Sequence, residues 1–372
     1  MRVVVAAAGT GGHINPAIAI ANKIKEEEPQ SEIIFIGTNR GLENDLVPRA
    51  GYKLEQIEAY GLSTKMTIEN MKKMYKTFKG YWQAKKIIKE FKPDIVIGTG
   101  GYICGPAIMA ASKLKIPTLL HESNAFPGKA VKMLAKRTNV ILVSFKDAIE
   151  RIDNANKIVY TGTPIKIHKK DYLQEETLKI KHGLGLQESK PIVLVFGGSQ
   201  GAKCINEAII SIIKEKLNSN YQIMWAAGPE QYKIIKTQLE KDGFNIDNLE
   251  GVKIVPYIYN MEEVMNVSDI IVARSGAMTI TEISNLGKPS ILIPLPNVSN
   301  DHQLYNAKAL EKIDAAKIIL NKDLTGELLN KQLKEIIDNP EVMNKMGANA
   351  RKNNAEDAQE KIYAEIKKLV KQ

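Results

Sequence analysis

A chain of 372 residues is longer than one hydrophobic core usually serves and suits two domains of ordinary size. Its 44% hydrophobic and 25% charged residues are the proportions of a folded protein, and two distant cysteines, Cys104 and Cys204, argue against a disulfide framework or a cysteine-based zinc site. A formal charge of +10 calls for anionic partners, yet no helix-turn-helix, zinc finger or aromatic RNA-binding strand accompanies it, so no nucleic acid is expected.

The chain opens on MRVVVAAAGTGG, a strand running into a turn, with no basic flank ahead of a cleavable apolar core. No apolar run approaches the ~18 residues that span a bilayer, so neither secretion nor membrane insertion is expected. Arg2–Ala8, Glu32–Ile36, Asp94–Gly98, Thr118–His121 and Val140–Val143 read as strands, with helical stretches such as Ala17–Glu28 and Pro106–Leu114 between them. Residues 161–190 are polar and lysine-rich and read as a hinge. The pattern restarts at Pro191–Phe196 and continues through Gln222–Ala226, Asp269–Ala273 and Ser290–Pro294. Alternation of apolar strands with helices predicts an α/β fold of two doubly wound, Rossmann-like domains facing each other across a cleft. The expected division is 1–162 and 163–350. Residues 351–372 form an amphipathic tail helix that caps one of the domains, the N-terminal one being a candidate.

Three glycine clusters stand where a strand meets a helix: Gly9-Thr10-Gly11-Gly12, Gly98-Thr99-Gly100-Gly101 and Gly197-Gly198-Ser199-Gln200-Gly201. Glycine permits positive φ and close backbone approach, and a following helix offers free N–H groups to a phosphate. Tight turns also use glycine for steric reasons alone, so one cluster would say little; three, on a basic chain, favour phosphate handling. Familiar nucleotide motifs fail in detail. Ile14 replaces the third glycine of the dinucleotide fingerprint, Gly37 and Thr38 stand where its acidic residue belongs, and Cys204 replaces the hydroxyl of a P-loop. No Asp-x-Asp pair advertises a metal holding a diphosphate.

His13 follows the first cluster and is placed at a helix N-terminus facing the cleft, or else it caps and packs that helix. His121-Glu122-Ser123-Asn124 ends a buried strand, where polar side chains are costly unless they bind something. Glu282, in the helix after Arg274-Ser275-Gly276, suits a ribose diol or is a plain surface carboxylate. Asp301-His302-Gln303 opens a further helix at the cleft edge.

Taken together, GTGGHINP (9–16), GTGGYICGP (98–106), HESNAFPG (121–128), TGTPIK (161–166), GGSQGAKCIN (197–206), RSGAMTITE (274–282) and DHQLYNA (301–307) resemble the MurG family. Its members are N-acetylglucosaminyltransferases that convert lipid I to lipid II in peptidoglycan synthesis. The resemblance runs through both domains in order, with residues 62–92 and the tail loosely matched. It implies a GT-B fold, inverting transfer from UDP-GlcNAc to the 4-hydroxyl of the muramoyl sugar of lipid I, and no cofactor or bound metal. It implies work at the cytoplasmic face of the cell membrane, on an anionic surface, in company with cell-wall or division complexes. Carried over, Thr10, Gly11 and Gly12 lie near the donor sugar and acceptor phosphates, and Asn124 and Gln303 hold the GlcNAc. Lys166 and Ser199 contact the diphosphate, Ile258 the uracil, Ala277, Met278 and Thr279 the nucleotide, and Glu282 the ribose. Gly100, Gly101, Tyr102 and His121 fall on the acceptor side. Lysine at 166, where the family often has arginine, keeps the charge and loses the bidentate fork.

Transfer to a sugar hydroxyl needs a general base, for which His13 is the first candidate and Glu122 the second. A UDP-GlcNAc epimerase, or a subunit that binds without catalysis, would share much of this pattern. Last, apolar residues recur at 71, 74, 75, 78, 81 and 82, flanked by Lys72, Lys73, Lys76 and Lys79 and followed by Lys85, Lys86 and Lys89. Such a stripe suits a helix lying on anionic lipid, with Met74, Phe78 and Trp82 as contacts, or an amphipathic helix covering a sheet.

Overall fold

Two parallel sheets built from Val- and Ile-rich runs organise the chain. The computed structural model describes residues 1–61, 67–165, 167, 169–198, 200–353 and 357–371, with Asp247 and Ser299 given by backbone alone. The chain divides into Met1–Lys166 with Ala355–Gln372, and Ile167–Asn354.

The first unit runs β1 (Arg2–Ala6), α1 (Gly11–Glu27), β2 (Glu32–Gly37), α2 (Glu43–Arg49), β3 (Lys53–Gln56), α3 (Ile68–Phe91), β4 (Ile95–Gly98), α4 (Cys104–Lys113), β5 (Thr118–Glu122), α5 (Lys129–Leu134), β6 (Val140–Val143) and β7 (Ile158–Tyr160). Its seven strands lie in the order β3-β2-β1-β4-β5-β6-β7, with Val5 opposite Phe35 on one side and Ile97 on the other. Period-two alternation splits the core. Val4, Ala6, Val96 and Leu120 face α3, α4 and α5, whereas Val3, Val5, Ile97 and Leu119 face α1 and the last helix.

The second unit runs α6 (Gln174–Gly183), β8 (Ile192–Phe196), α7 (Lys203–Lys214), β9 (Gln222–Ala226), α8 (Pro229–Lys241), β10 (Val252–Val255), α9 (Met261–Val267), β11 (Ile270–Ala273), α10 (Ala277–Leu286), β12 (Ser290–Leu292), α11 (His302–Glu311), β13 (Ala316–Ile318), α12 (Gly326–Ile337) and α13 (Pro340–Lys352). Six parallel strands take the order β10-β9-β8-β11-β12-β13. Val193, Val195, Trp225 and Val272 pack against Ile205, Ile209 and Ile212 of α7 and Leu329 and Leu333 of α12.

The tail helix α14 (Ala358–Val370) belongs to the first unit. Ile362, Ile366 and Leu369 join the α1 side of that core. Glu28 anchors it from α1's end, accepting from Tyr363 Oη and Lys367 Nζ, while Lys23 pairs with Glu360. Within the segment read as a hinge, α6 begins at Gln174, where Glu176 reaches back to the Leu173 amide.

Helix α3 carries much of its apolar stripe outward, while Tyr81, Ile87 and Phe91 pack partly against the core. Its buried positions are Asn70, Gly80, Ala84 and Ile88, with Gly80, Ala84 and Ile88 at helical spacing. Gly80 lies so close to the Glu58 carbonyl that a Cβ there would come within 1.7 Å of its oxygen. Met71, Met74, Tyr75, Phe78 and Trp82 are all exposed, Phe78 at 60% and Trp82 at 53%. Among the described residues, no helix is long and apolar enough to cross a membrane.

Candidate active site

In a doubly wound sheet, ligands bind beyond the carboxyl ends of the strands, where chain order reverses. In the first sheet this point falls between β1 and β4, in the second between β8 and β11. The glycine clusters emerge from β1, β4 and β8, so the sequence motifs meet the two crevices that the topology creates.

Gly9 leaves β1 with φ +97°, and α1 starts at Gly11 rather than at Ala17. Thr10 is the N-cap, yet its exposed hydroxyl makes no capping bond. His13 N and Ile14 N both reach back to Thr10 O, which leaves the Gly11 and Gly12 amides at the open helix end. His13 Nδ1 lies 3.0 Å from the Thr99 carbonyl, and Thr99 Oγ1 donates to His13 O at 2.8 Å. A carbonyl only accepts, so the neutral ring carries its proton on Nδ1 and its lone pair on Nε2, the form a general base needs. The imidazole spreads over the second cluster: Gly100 and Gly101 have φ of +98° and +79°, and a Cβ on Gly100 would come within 2.7 Å of Nδ1. Tyr102 extends this surface toward Gly9.

Two expected residues are corrected by burial. His121 is fully enclosed: Nε2 donates to Gly162 O at 3.0 Å, Ser144 Oγ lies 3.4 Å from the same nitrogen, and Ser123 Oγ approaches Nδ1 at 3.3 Å. Burial drops its ring to about 4. It ties β5 to the chain beyond β7 and offers no face to an acceptor. Glu122 is nearly as buried, and both its oxygens are occupied, Oε1 by Asn124 N and Nδ2, Oε2 by Gly128 N. The carboxylate thereby shapes the turn that carries Asn124.

In the second unit Gly198 and Gly201 have φ of +92° and +76°. Backbone wedges this turn: a Cβ on Gly201 would come within 2.0 Å of Ala227 O, and one on Gly197 within 2.3 Å of Ala202 N. Arg274, at the end of β11, clamps its surroundings. Nη1 donates to Ile293 O and to Asn321 Oδ1, and Nη2 to Cys204 Sγ at 3.2 Å. Gly276 caps α10 in an extended conformation, leaving the first-turn amides of Ala277, Met278 and Thr279 at the crevice. One turn on, Glu282 has no hydrogen bond or ion pair with the described residues, and burial raises its carboxyl to about 7. Gln303 accepts from Leu295 N through Oε1, and its carbonyl accepts from Ser275 Oγ. Ile258 is buried between exposed Tyr257 and Tyr259. Lys166 and Ser199 lie outside the described residues.

Glu43 escaped the sequence reading. The dinucleotide acid is missing from the end of β2, but five residues beyond Thr38 this carboxylate turns back and binds Gly9 N and Thr38. Its signal was the Gly37…Gly41…Glu43 spacing, glycines cleared for a buried side chain. Among the described residues, no three His, Cys, Asp or Glu side chains group as metal ligands. A groove of about 650 Å³ lined by Arg2, Ile33, Tyr52, Lys53 and Phe91 sits at the opposite, amino ends of β1–β3 and holds none of these residues.

Residues 3–143 match the glycosyltransferase family 28 N-terminal domain and residues 192–362 its C-terminal domain. The fold is similar to that of MurG from Acinetobacter baumannii, with TM-score 0.78 and 28% identity over 99% of both chains. A putative UDP-N-acetylglucosamine 2-epimerase from Listeria monocytogenes shares the architecture at TM-score 0.66 and 17% identity, over 99% of this chain and 96% of that one, a likeness of fold alone. Two Rossmann-like sheets with the family 28 halves in order make this a glycosyltransferase of the GT-B type. A UDP-N-acetylglucosamine–N-acetylmuramyl-(pentapeptide) pyrophosphoryl-undecaprenol N-acetylglucosamine transferase from Thermoanaerobacter sp. (strain X514) is 45% identical over 99% of this chain and 100% of its own. The chain belongs to that family, the MurG-type glycosyltransferases.

Proposed function

We propose that the protein transfers N-acetylglucosamine from UDP-GlcNAc to the 4-hydroxyl of the N-acetylmuramoyl sugar of lipid I, giving lipid II and UDP with inversion at the anomeric carbon. The observation that carries this reading is the 45% identity to a transferase of that name along the whole chain. Local geometry agrees with it. The acceptor's diphosphate suits the open amides of Gly11 and Gly12, and His13 Nε2 takes the hydroxyl proton as the new bond forms. The donor belongs to the second unit: uracil beside Ile258, ribose on Glu282, diphosphate at Ser199, Lys166 and the first turns of α7 and α10. As the glycosidic bond to UDP breaks, charge grows on the departing phosphate, and fixed N–H groups and helix dipoles stabilise it without reorganising. Asn124 and Gln303 orient the GlcNAc.

The acceptor is anchored in lipid, so the enzyme works at the cytoplasmic membrane surface. The exposed stripe of Met74, Phe78 and Trp82, with the lysines along α3, supports docking on anionic headgroups. Incubation with UDP-GlcNAc alone and then with a lipid I analogue tests the reaction. UDP release that depends on the lipid supports transfer; sugar conversion without it indicates epimerase chemistry.

A further inference from the structure

We propose that Glu43 is a positioning residue for this transfer, holding the Gly9–Gly12 turn in the one conformation that presents the α1 amides and His13 to the acceptor. The inference rests on the acceptor role given to that turn above.

Glu43 is fully buried at the start of α2. Oε2 accepts from Gly9 N at 3.0 Å, and Oε1 accepts from Thr38 N at 3.0 Å and Thr38 Oγ1 at 2.7 Å. Leu42 N reaches Gly9 O at 3.4 Å, so both backbone groups of Gly9 are held by adjacent residues. No cation pairs with Glu43 among the described residues. Burial pushes its carboxyl up, but the bonds from Thr38 and Gly9 outweigh that and leave it below its ordinary value. A buried charge balanced only by dipoles is costly to keep. The connection around it is built to admit it, since a Cβ on Gly37 would come within 2.8 Å of Glu43 Cγ and one on Gly41 within 2.0 Å of Oε2.

Comparison among the glycine turns shows what the charge is for. At Gly197 and Gly201 of the third cluster, an added Cβ would lie 2.3 and 2.0 Å from neighbouring backbone, whereas Gly198 has open space. The Gly100–Gly101 turn is covered by the His13 ring. At the Gly9–Gly12 turn, added Cβ atoms would find their nearest neighbours at ordinary contact distances, 4.0, 3.5 and 3.6 Å for Gly9, Gly11 and Gly12. No backbone wedge closes on these three Cβ positions, and the bonds from Glu43 and Leu42 hold both backbone groups of Gly9. An amide in place of the carboxylate fills the same volume, but its NH2 turns a donor toward either Gly9 N–H or Thr38.

The test uses the full chain carrying Glu43→Gln, with UDP-GlcNAc and a lipid I analogue. Turnover is expected to fall by about 10- to 100-fold, the size of a small misplacement of reacting groups, while the KM for UDP-GlcNAc stays unchanged. Deuterium uptake in peptides covering residues 7–14 should rise, with β4 and β8 peptides as before. Thr38→Val deletes one of the three bonds and should give a milder form of the same pattern, which keeps the test open if the Gln variant folds poorly. Unchanged uptake at 7–14, or a KM for donor that rises in step with the turnover loss, overturns the proposal. Absence of transfer by the unsubstituted enzyme would instead refute the acceptor reading, and the exchange comparison would still decide the tether.

Discussion

At the scale of single residues, the ribose role proposed for Glu282 makes donor binding proton-linked. Burial holds its folded-state value near 7, above the ordinary glutamate range, so ionising it costs stability as pH rises from about 4.3 through 7. Two ribose hydroxyls donating to the carboxylate reverse that preference and expel the proton. Binding of UDP near pH 7 is therefore expected to release about half a proton. Calorimetry in buffers of different ionisation enthalpy measures this, and Glu282→Gln should both weaken UDP binding and abolish the release. Proton uptake, or none, would sink the assignment.

His13 calls for a different measurement, because its role is in turnover. His13→Ala should lower kcat about 10²-fold or more while leaving UDP-GlcNAc binding nearly intact. Near-normal turnover would return the ring to the helix-packing role its contact with Gly100 also suits. The placement of the glycines and His13 at strand–helix turns was legible in the sequence, because positive φ restricts which residues can serve there. The burial of Glu122 and His121 was not legible, because polar residues at a strand's end can satisfy local backbone groups as well as a ligand, here Gly128, Asn124 and Gly162. Glu43 left only the spacing of Gly37 and Gly41 as a trace, because its partner Gly9 lies 34 residues away in the chain.

At the scale of elements, α3 has its faces inverted relative to an ordinary covering helix. Its inner face centres on Gly80, Ala84 and Ile88 with Tyr81, Ile87 and Phe91 at its margin, and the face of Met74, Tyr75, Phe78 and Trp82 is open. The two faces should therefore respond oppositely to substitution. Changing Phe78 and Trp82 to Ser should reduce binding to anionic vesicles with little change in Tm. Gly80→Ala forces a methyl into the Glu58 carbonyl and should cost about 1–3 kcal/mol or more. Aromatic-face variants that melt early and still bind vesicles would place docking elsewhere. The helix period was readable in the sequence, but which side turns inward was not, because Gly and Ala carry almost no hydropathy signal. Four strands went unread, β3, β7, β10 and β13, and each is the edge of its sheet. Central strands buried on both faces are continuous apolar runs; edge strands such as Lys53–Gln56 are short and partly polar, and pairing on one side supports them.

For the whole molecule, the two units differ in self-sufficiency. The second has its own continuous core within Ile167–Asn354. The first borrows α14 from the far end of the chain to cover α1. A fragment of residues 167–354 is expected to fold and bind UDP, whereas residues 1–166 alone should be unstable and gain thermal stability when a peptide of residues 355–372 is added. Within the full chain, Ile366→Ala should cost about 2–5 kcal/mol, as for other buried aliphatic truncations. A stable 1–166 fragment indifferent to the peptide would show that α14 is dispensable. The amphipathic tail was visible as a helix with the N-terminal domain as a candidate berth, but the contact face on α1 was not, since long-range docking leaves no local pattern.

The turn at 197–201 has a further consequence, for drug resistance. Gly197 and Gly201 abut the main chain of Ala202, Ala227 and Gly228, and main chain is the one part of a protein that a codon change cannot rewrite. Replacing Gly197 or Gly201 to exclude an inhibitor would collide with backbone before it touched the compound. A compound that engages only the peptide groups of Gly197 and Gly201 would thus meet a target with few viable escape mutations there, whereas one that leans on side chains could lose its grip through a single substitution.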